Sequence, residues 1–303
     1  MEAGAASASA YRLRVALAFL TVYLVWGSTY LAIRVGVHDL PAVLFAGVRF
    51  LLAAPLMLAY AWWRGGRLPT RPRDWLTIAA TALMMLVGAN GLVTWSEQWI
   101  ESNQAALIVA TSALWMAWFG TWGRRGEALS RLTVAGLLFG FLGVALLVGA
   151  GLSMQLAPAP AYAALLLSPI LWAGGSVVSR RYPVGCSPLM TAALQMLMTG
   201  LVMGGLGLAR GEWQQWQPTA SAMGALLYLV IFGSCLAYGA YFWLVHEVTP
   251  AQLGTYAYVN PAVAVLLGWW LLGESMHMPQ ILGTLVVLVG VLLVTVAGRR
   301  SSR

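Results

Sequence analysis

The sequence predicts an all-α polytopic membrane protein with ten transmembrane helices arranged as two inverted five-helix repeats. Three observations predict it. The 303-residue chain is 60% hydrophobic and only 9% charged, with a mean hydropathy of +0.79, whereas soluble proteins carry about 25% charged residues. Nearly charge-free stretches long enough to cross a bilayer, about 20 residues each, recur along the whole length and leave no room for a soluble domain. Two halves of the chain also align at a nearly constant offset.

The spans fall near residues 15–34, 42–63, 75–95, 102–122, 132–149, 160–179, 186–209, 221–245, 251–272 and 278–298. In the first, Arg12 and Arg14 followed by VALAFLTVYLVW imitate a secretory leader. No small-residue cleavage site follows and GSTYLAIR continues the pattern, so the span reads as a mature helix. No charge occurs between 132 and 179, and the division there is made at GAGLSMQLAPAP, whose Gly and Pro residues punctuate a loop. The repeats are thus 1–149 and 150–303.

A net charge of +8 raises the question of nucleic acid, and the distribution of the charges answers it. All 17 basic residues are Arg, and 14 of them fall on one side of the ten-helix arrangement, in the clusters at 12–14, 64–73, 124–131, 180–181 and 299–303. The opposite loops hold Asp39, Glu97, Glu101, Glu212 and Glu274, with only Arg34 and Arg210 near them. The positive-inside rule then places both termini in the cytoplasm of a cell inner (plasma) membrane protein, with the lipid bilayer as its partner and no nucleic acid. Cys186 and Cys235 read as lying in separate helices without metal-ligand spacing, so no disulfide, metal or cofactor is expected.

The repeat marks keep their order. Gly136 matches Gly283, Gly143 matches Gly290, and Gly126–Glu127 matches Gly273–Glu274, each 147 residues apart; Trp26 and Trp172, Arg34 and Arg180, and Arg49 and Gln195 are 146 apart, and Ser28 roughly faces Gly174. Chance alignment of apolar segments is the plain alternative, and matched Trp, Arg and Gly marks in order weigh against it. A half of five helices is odd, so the second copy enters the membrane from the opposite side. That is the architecture of secondary transporters, with the site near the midplane between the repeats.

VWGSTYLAIRVGV, PAVLFAGVRFLLAAPLM, GANGLVTWSEQ and TYAYVNPAVAVLLGWWLLGE, in this order, resemble the EamA family of the drug/metabolite transporter superfamily, most closely its YedA-like inner-membrane exporters. The resemblance covers essentially the whole chain. It implies ten helices in two inverted repeats and efflux of small metabolites such as amino acids. Where the family's fourth helix often carries a proline, this chain has ATSALWMAW, with Ala113 and Leu114 there, so unequal bending of the halves is expected.

Pro261 removes a backbone donor in the middle of an apolar span, and broken helices survive in lipid only where they line protein or a watery cavity. The 251–272 span is therefore expected to line the pathway, with Asn260 bonding a freed backbone group or a solute and Tyr256 and Tyr258 flanking it. A kink made purely for packing is the plainer reading. Arg49 lies about 7 residues into its span, on the order of 10 Å below the surface, where a charge costs at least about 2.5 kcal/mol unless paired or wet. It either binds a solute carboxylate or forms a static pair with Glu97; Gln195 is its neutral repeat partner.

Trp26 and Trp172 fall near mid-membrane and suit a cavity wall. Ser28, Thr29, Tyr30 and Ser176 follow them with hydroxyls, and Asn90, Thr94, Ser234 and Tyr238 are further candidates, although most such groups simply bond across helices. Gly136 with Gly140, and Gly200 with Gly204, make GxxxG pairs that read as close packing. His38, His246 and His277 sit far apart at span ends and no catalytic or nucleotide-binding motif is present, so an enzyme is disfavoured, and nothing reads as a channel filter. The expected function is a secondary transporter of a small-molecule substrate; the alternative is a membrane solute-binding or sensing protein without transport. Oligomeric state is left open.

Overall fold

The computed structural model describes residues 2–100, 102–123, 126, 128–149, 158–272 and 278–301. The described residues contain helices and no strand. In chain order the helices are α1 (Glu2–Asp39), α2 (Ala42–Trp63), α3 (Pro72–Ser96), α4 (Ser102–Ala110), α5 (Ser112–Gly120), α6 (Arg131–Gly149), α7 (Ala159–Arg181), α8 (Pro188–Ala209), α9 (Ala220–Glu247), α10 (Pro250–Gly254), α11 (Tyr256–Leu272) and α12 (Met278–Ser301). Six of them are long and apolar enough to cross a bilayer: α1, α2, α3, α7, α8 and α9. Shorter apolar stretches run over Ile108–Gly120, Arg131–Leu146 and Ile281–Ala297. The six long helices fall on six of the expected spans, and the remaining helices fall on the other expected spans. The repeat marks Glu127, Gly273 and Glu274 lie outside the described residues.

Two antiparallel helix pairs hold the molecule together: α2 against α8, and α6 against α12. Their backbones nearly touch. A Cβ on Gly47 would sit 2.3 Å from the Gly204 nitrogen, one on Gly200 2.7 Å from the Leu51 nitrogen, and one on Gly207 2.8 Å from Leu44 Cα. In the other pair, Gly136 meets Gly290 and Gly143 meets Gly283, each at 2.8 Å from a carbonyl oxygen. Hydrocarbon drives no apolar helices together, so such close approach supplies the dispersion contact that does. The outer faces carry the apolar residues that lipid requires, for example Leu13, Leu17, Leu20 and Leu24 along α1 and Leu285, Leu288 and Leu292 along α12. Exposed Trp62, Trp63, Trp118 and Trp122 end α2 and α5 as an aromatic girdle.

Helix ends are closed by arginines and acids. Arg34 donates to the Glu97 carbonyl at the end of α3, and Arg180, its mate 146 residues on, donates to the Val245 and Val248 carbonyls at the end of α9. Both satisfy terminal carbonyls that a helix leaves unpaired. Glu212 Oε2 accepts from the Leu44 N–H at 2.7 Å, in the first turn of α2, where a negative charge is favoured.

Three expectations change. The interruption placed at Pro261 stands instead at Thr255, between α10 and α11, and Pro261 lies inside α11. The Thr255 hydroxyl donates to the Gln252 carbonyl and takes a hydrogen bond from Tyr23 of α1, so a side chain supports the break. The unequal bending expected from Ala113 and Leu114 is not what is seen at this point: the chain also breaks at Thr111, whose hydroxyl donates to Ile108 O at 2.7 Å. Small residues let the two breaks meet, since Gly254 packs against Ala113. Cys186 lies in the bend before α8 rather than within it, with Sγ 3.2 Å from the Thr191 hydroxyl, and burial pushes its thiol pKa up.

Within α3 and α9 the residues Ala82–Asn90 and Leu229–Tyr238 wind as π-helix. These stretches begin 147 residues apart. Such wide turns are rare and cluster at functional sites.

The glycine contacts yield a stability test. Gly47→Ala and Gly136→Ala each force backbone apart and should cost about 1–3 kcal/mol, lowering the melting temperature of the purified protein. Gly205→Ala and Gly224→Ala, where nothing lies within 4 Å of the new methyl, should leave it unchanged or raised.

Candidate functional site

A cavity of about 660 Å³, counting its mouth, lies among α1, α2, α3, α4, α7, α9 and α11. It runs from mid-membrane toward the face that carries the 40–41, 97–100 and 210–219 connections, referred to as the Asp39 face. Its α1 wall is the stripe Trp26, Thr29, Tyr30 and Ile33, and its α3 wall is Leu86, Ala89, Asn90 and Val93. Both have the i, i+3, i+4, i+7 spacing of one helix face.

Arg49 is the one charged group among the described lining residues. It is 5% exposed. Its Nε donates to Ser234 Oγ at 2.9 Å, and its guanidinium stands 5.0 Å from the centre of the Phe50 ring. Gly233 leaves room for the fork, since a Cβ there would lie 3.1 Å from Nη2. The static Arg49–Glu97 pair is not formed: neither side chain has an ion-pair partner within 4 Å among the described residues, and both Glu97 carboxylate oxygens are buried without a hydrogen-bond partner. Across the cavity, Asn260 is 1% exposed with neither carboxamide atom bonded, and Asn90 Oδ1 is likewise unbonded. Buried polar groups are normally satisfied. Asn260 and Asn90 thus bring unmet polar atoms to the cavity lining.

Toward the opposite face, which carries the 64–71, 121–123, 182–187 and 248–249 connections, the cavity ends on an aromatic floor. Trp26 and Trp172 meet edge to face with ring centroids 5.4 Å apart and planes at 81°, and Tyr256 and Tyr241 lie 5.2 and 4.8 Å from Trp26. Hydrogen bonds fix the rings. Trp26 Nε1 donates to Gly233 O at 3.1 Å. Trp172 Nε1 donates to the Tyr241 hydroxyl at 2.9 Å, and that hydroxyl donates to Ser176 Oγ, which itself donates to Trp172 O. Beyond this floor lies a second, small void of about 200 Å³ counting its mouth, lined in part by Ser176, Arg180, Val245 and Pro250. Among the described residues no three His, Cys, Asp or Glu side chains converge to hold a metal.

The sequence profile of the EamA-like transporter family matches this chain twice, over residues 13–149 and 159–296. The chain belongs to the EamA-like transporter family. It is 39% identical over 282 residues to the uncharacterized inner membrane transporter YedA of Escherichia coli (strain K12), covering 92% of this chain and 89% of that one. It is 22% identical over 290 residues to the uncharacterized transporter YoaV of Bacillus subtilis (strain 168), covering 93% and 97%. A crystal structure of a 21% identical protein superposes with a TM-score of 0.79 over 95% of this chain and 99% of that one, which shows the fold.

Within this EamA-like fold the expected site residues separate into groups. Trp26, Tyr30, Arg49, Asn90, Trp172, Ser234, Tyr238, Tyr256 and Asn260 line one cavity. Gln195 does not reach it. It donates to Thr81 Oγ1 at 2.6 Å and accepts from the Tyr238 hydroxyl at 2.5 Å, so it steadies a lining ring from behind. Ser176 lines the smaller void. Ser28 donates to Val25 O and takes the Tyr228 hydroxyl, and Thr94 donates to Asn90 O. The Tyr258 ring points at Gly140 of α6, where a Cβ would meet it at 2.4 Å. Neither Ser28, Thr94, Tyr258 nor Glu97 faces the cavity. Missed by the sequence reading were Ser168 and Tyr241. Tyr241 had a readable signal, three residues after Tyr238 on the same face and 147 after Thr94.

Cysteine scanning in a Cys186→Ser/Cys235→Ser background checks this division. Thr29→Cys, Val93→Cys and Asn260→Cys should react with a water-soluble thiol reagent at least tenfold faster than Ser28→Cys and Tyr258→Cys, read by mass shift.

Proposed function

We propose that this EamA-like chain is an inner-membrane secondary carrier that exports small organic metabolites such as amino acids by alternating access. The observation that carries the reading is the mid-membrane cavity, with a free guanidinium fork and an unbonded carboxamide, closed on one side by an aromatic floor with a further void beyond. The word transporter in the names of YedA and YoaV, and inner membrane in the former, agree with it. In this reading Arg49 and Asn260 bind the solute, Trp26, Trp172 and Tyr256 enclose its body, and Tyr30, Asn90, Ser234 and Tyr238 complete the wall.

The reading takes the chain as ten transmembrane helices in two inverted repeats, 1–149 and 150–303, with both termini cytoplasmic. Several contacts support this. Gly136 touching Gly290 while Gly143 touches Gly283 is the reciprocal pattern of an isologous two-fold contact, because each partner is the repeat mate of the other's neighbour. Trp26 and Trp172, also repeat mates, touch each other. The two π-helical stretches share the repeat offset, as do the paired roles of Arg34 and Arg180. With cytoplasmic termini the cavity belongs to the outer half of the membrane, and the aromatic floor is the cytoplasmic gate.

Opening that gate separates the Tyr241 hydroxyl from Trp172 and Ser176, two neutral hydrogen bonds worth together about 1–3 kcal/mol. Tyr241→Phe keeps the ring and removes both. It should raise labelling of Asn260→Cys from the cytoplasmic side about 5- to 150-fold, measured in inside-out vesicles with an impermeant reagent.

The function itself is tested with purified protein in liposomes preloaded with pooled amino acids and metabolites, read by mass spectrometry with and without a proton gradient. Efflux of discrete solutes is expected. Arg49→Ala and Asn260→Ala should insert normally and lose it. Saturable binding without flux would instead make the chain a membrane solute-binding or sensing protein.

A further inference from the structure

We infer that the charge this cavity recognises is a carboxylate, and that its solute class is organic monoanions with a ring-sized apolar body, for which an amino group is dispensable. The inference rests on the reading of this cavity as a solute site and goes beyond it by fixing which charge the solute must carry. Among the described lining residues there is one cation, Arg49, and no Asp, Glu or His. Only the Nε of that cation is bonded, to the neutral Ser234 hydroxyl. Its two terminal amino groups have no hydrogen-bond partner among the described residues, and no carboxylate lies within 4 Å. A planar fork of this kind is matched by a carboxylate in two parallel, charge-assisted hydrogen bonds.

The chain does hold an acid at this level, and it is turned elsewhere. Glu97 is fully buried outside the lining, and Arg34 is engaged with its backbone carbonyl. Among the described residues the guanidinium is therefore left without a protein counter-ion in a low-dielectric site, where an isolated charge is costly. A bound anion relieves that cost; a bound ammonium adds to it. The remaining unmet polar atoms, Asn90 Oδ1 and the Asn260 carboxamide, are neutral and accept a hydroxyl as readily as an amine. The Trp26, Trp172 and Tyr256 rings supply a wall for a flat apolar body. By this inventory a carboxylate is required, an amino group is tolerated, and an organic cation is excluded.

Three solutes with one body separate these terms: 3-phenylpropionate, phenylalanine and phenethylamine. Binding is read as ligand-dependent thermal stabilisation of purified protein, and movement as counterflow in proteoliposomes. 3-Phenylpropionate and phenylalanine should stabilise wild type, and phenethylamine should not. Arg49→Gln should weaken 3-phenylpropionate at least tenfold. Arg49→Lys, which keeps the charge and loses the fork, should retain weakened binding and serves if the Gln variant does not fold. Stabilisation by phenethylamine equal to that by 3-phenylpropionate, no stabilisation by 3-phenylpropionate, or undiminished carboxylate binding in both variants overturns the inference. Carboxylate-selective stabilisation without counterflow would sink the carrier reading and leave this one standing, whereas counterflow of phenethylamine would do the reverse.

Discussion

The edge-to-face contact of Trp26 and Trp172 is the point on which the rest of the site depends. It joins α1 to α7, and through Tyr241 and Tyr256 it gathers α9 and α11, so four helices meet in one layer of rings. Aromatic pairs in this geometry gain about 0.5–1.5 kcal/mol beyond area burial, and here each indole N–H is also spoken for. The layer ends one cavity and begins another.

Polar groups follow the same economy. Several buried hydroxyls in the membrane segments bond a carbonyl one turn back, as Thr29, Thr94 and Ser176 do, and Gln195 is engaged at both ends, by Thr81 and Tyr238. Arg49 and Gln195 occupy matching places in the two halves and meet opposite fates: the amide is consumed by its neighbours, and the guanidinium keeps its fork. That asymmetry places the one charge among the described lining residues on one side of the aromatic layer.

Much of this was legible in the sequence. Spans follow from hydropathy, and Arg49, Trp26 and Asn260 stand out because each is expensive at mid-span unless something uses it. What failed was the direction of side chains. Tyr256 and Tyr258 are two residues apart, about 200° around a helix, so only one of them can face the cavity; the same geometry turns Ser28 away while Thr29 and Tyr30 face in. The break was assigned to Pro261 because proline is the visible helix breaker, whereas Thr255 breaks the chain with a hydroxyl that only its tertiary partner Tyr23 makes meaningful. The Arg49–Glu97 pair, one of the two readings of Arg49, rests on level along the helices alone. Depth along a helix can be counted from sequence, but facing cannot once π turns shift the register within α3 and α9.

The pairing of α2 with α8 and of α6 with α12 bears on how the chain is made. During synthesis at about 5–20 residues per second, with domains folding as units, α2 is finished about 125 residues before α8 begins. Its glycine face therefore waits roughly 6–25 s for its partner, and α6 waits about as long for α12. For that interval the nascent protein sits in the bilayer with its narrowest grooves empty and Arg49 short of Ser234. Each glycine-lined pair therefore joins the first half of the chain to the second, and neither can form until both halves are made.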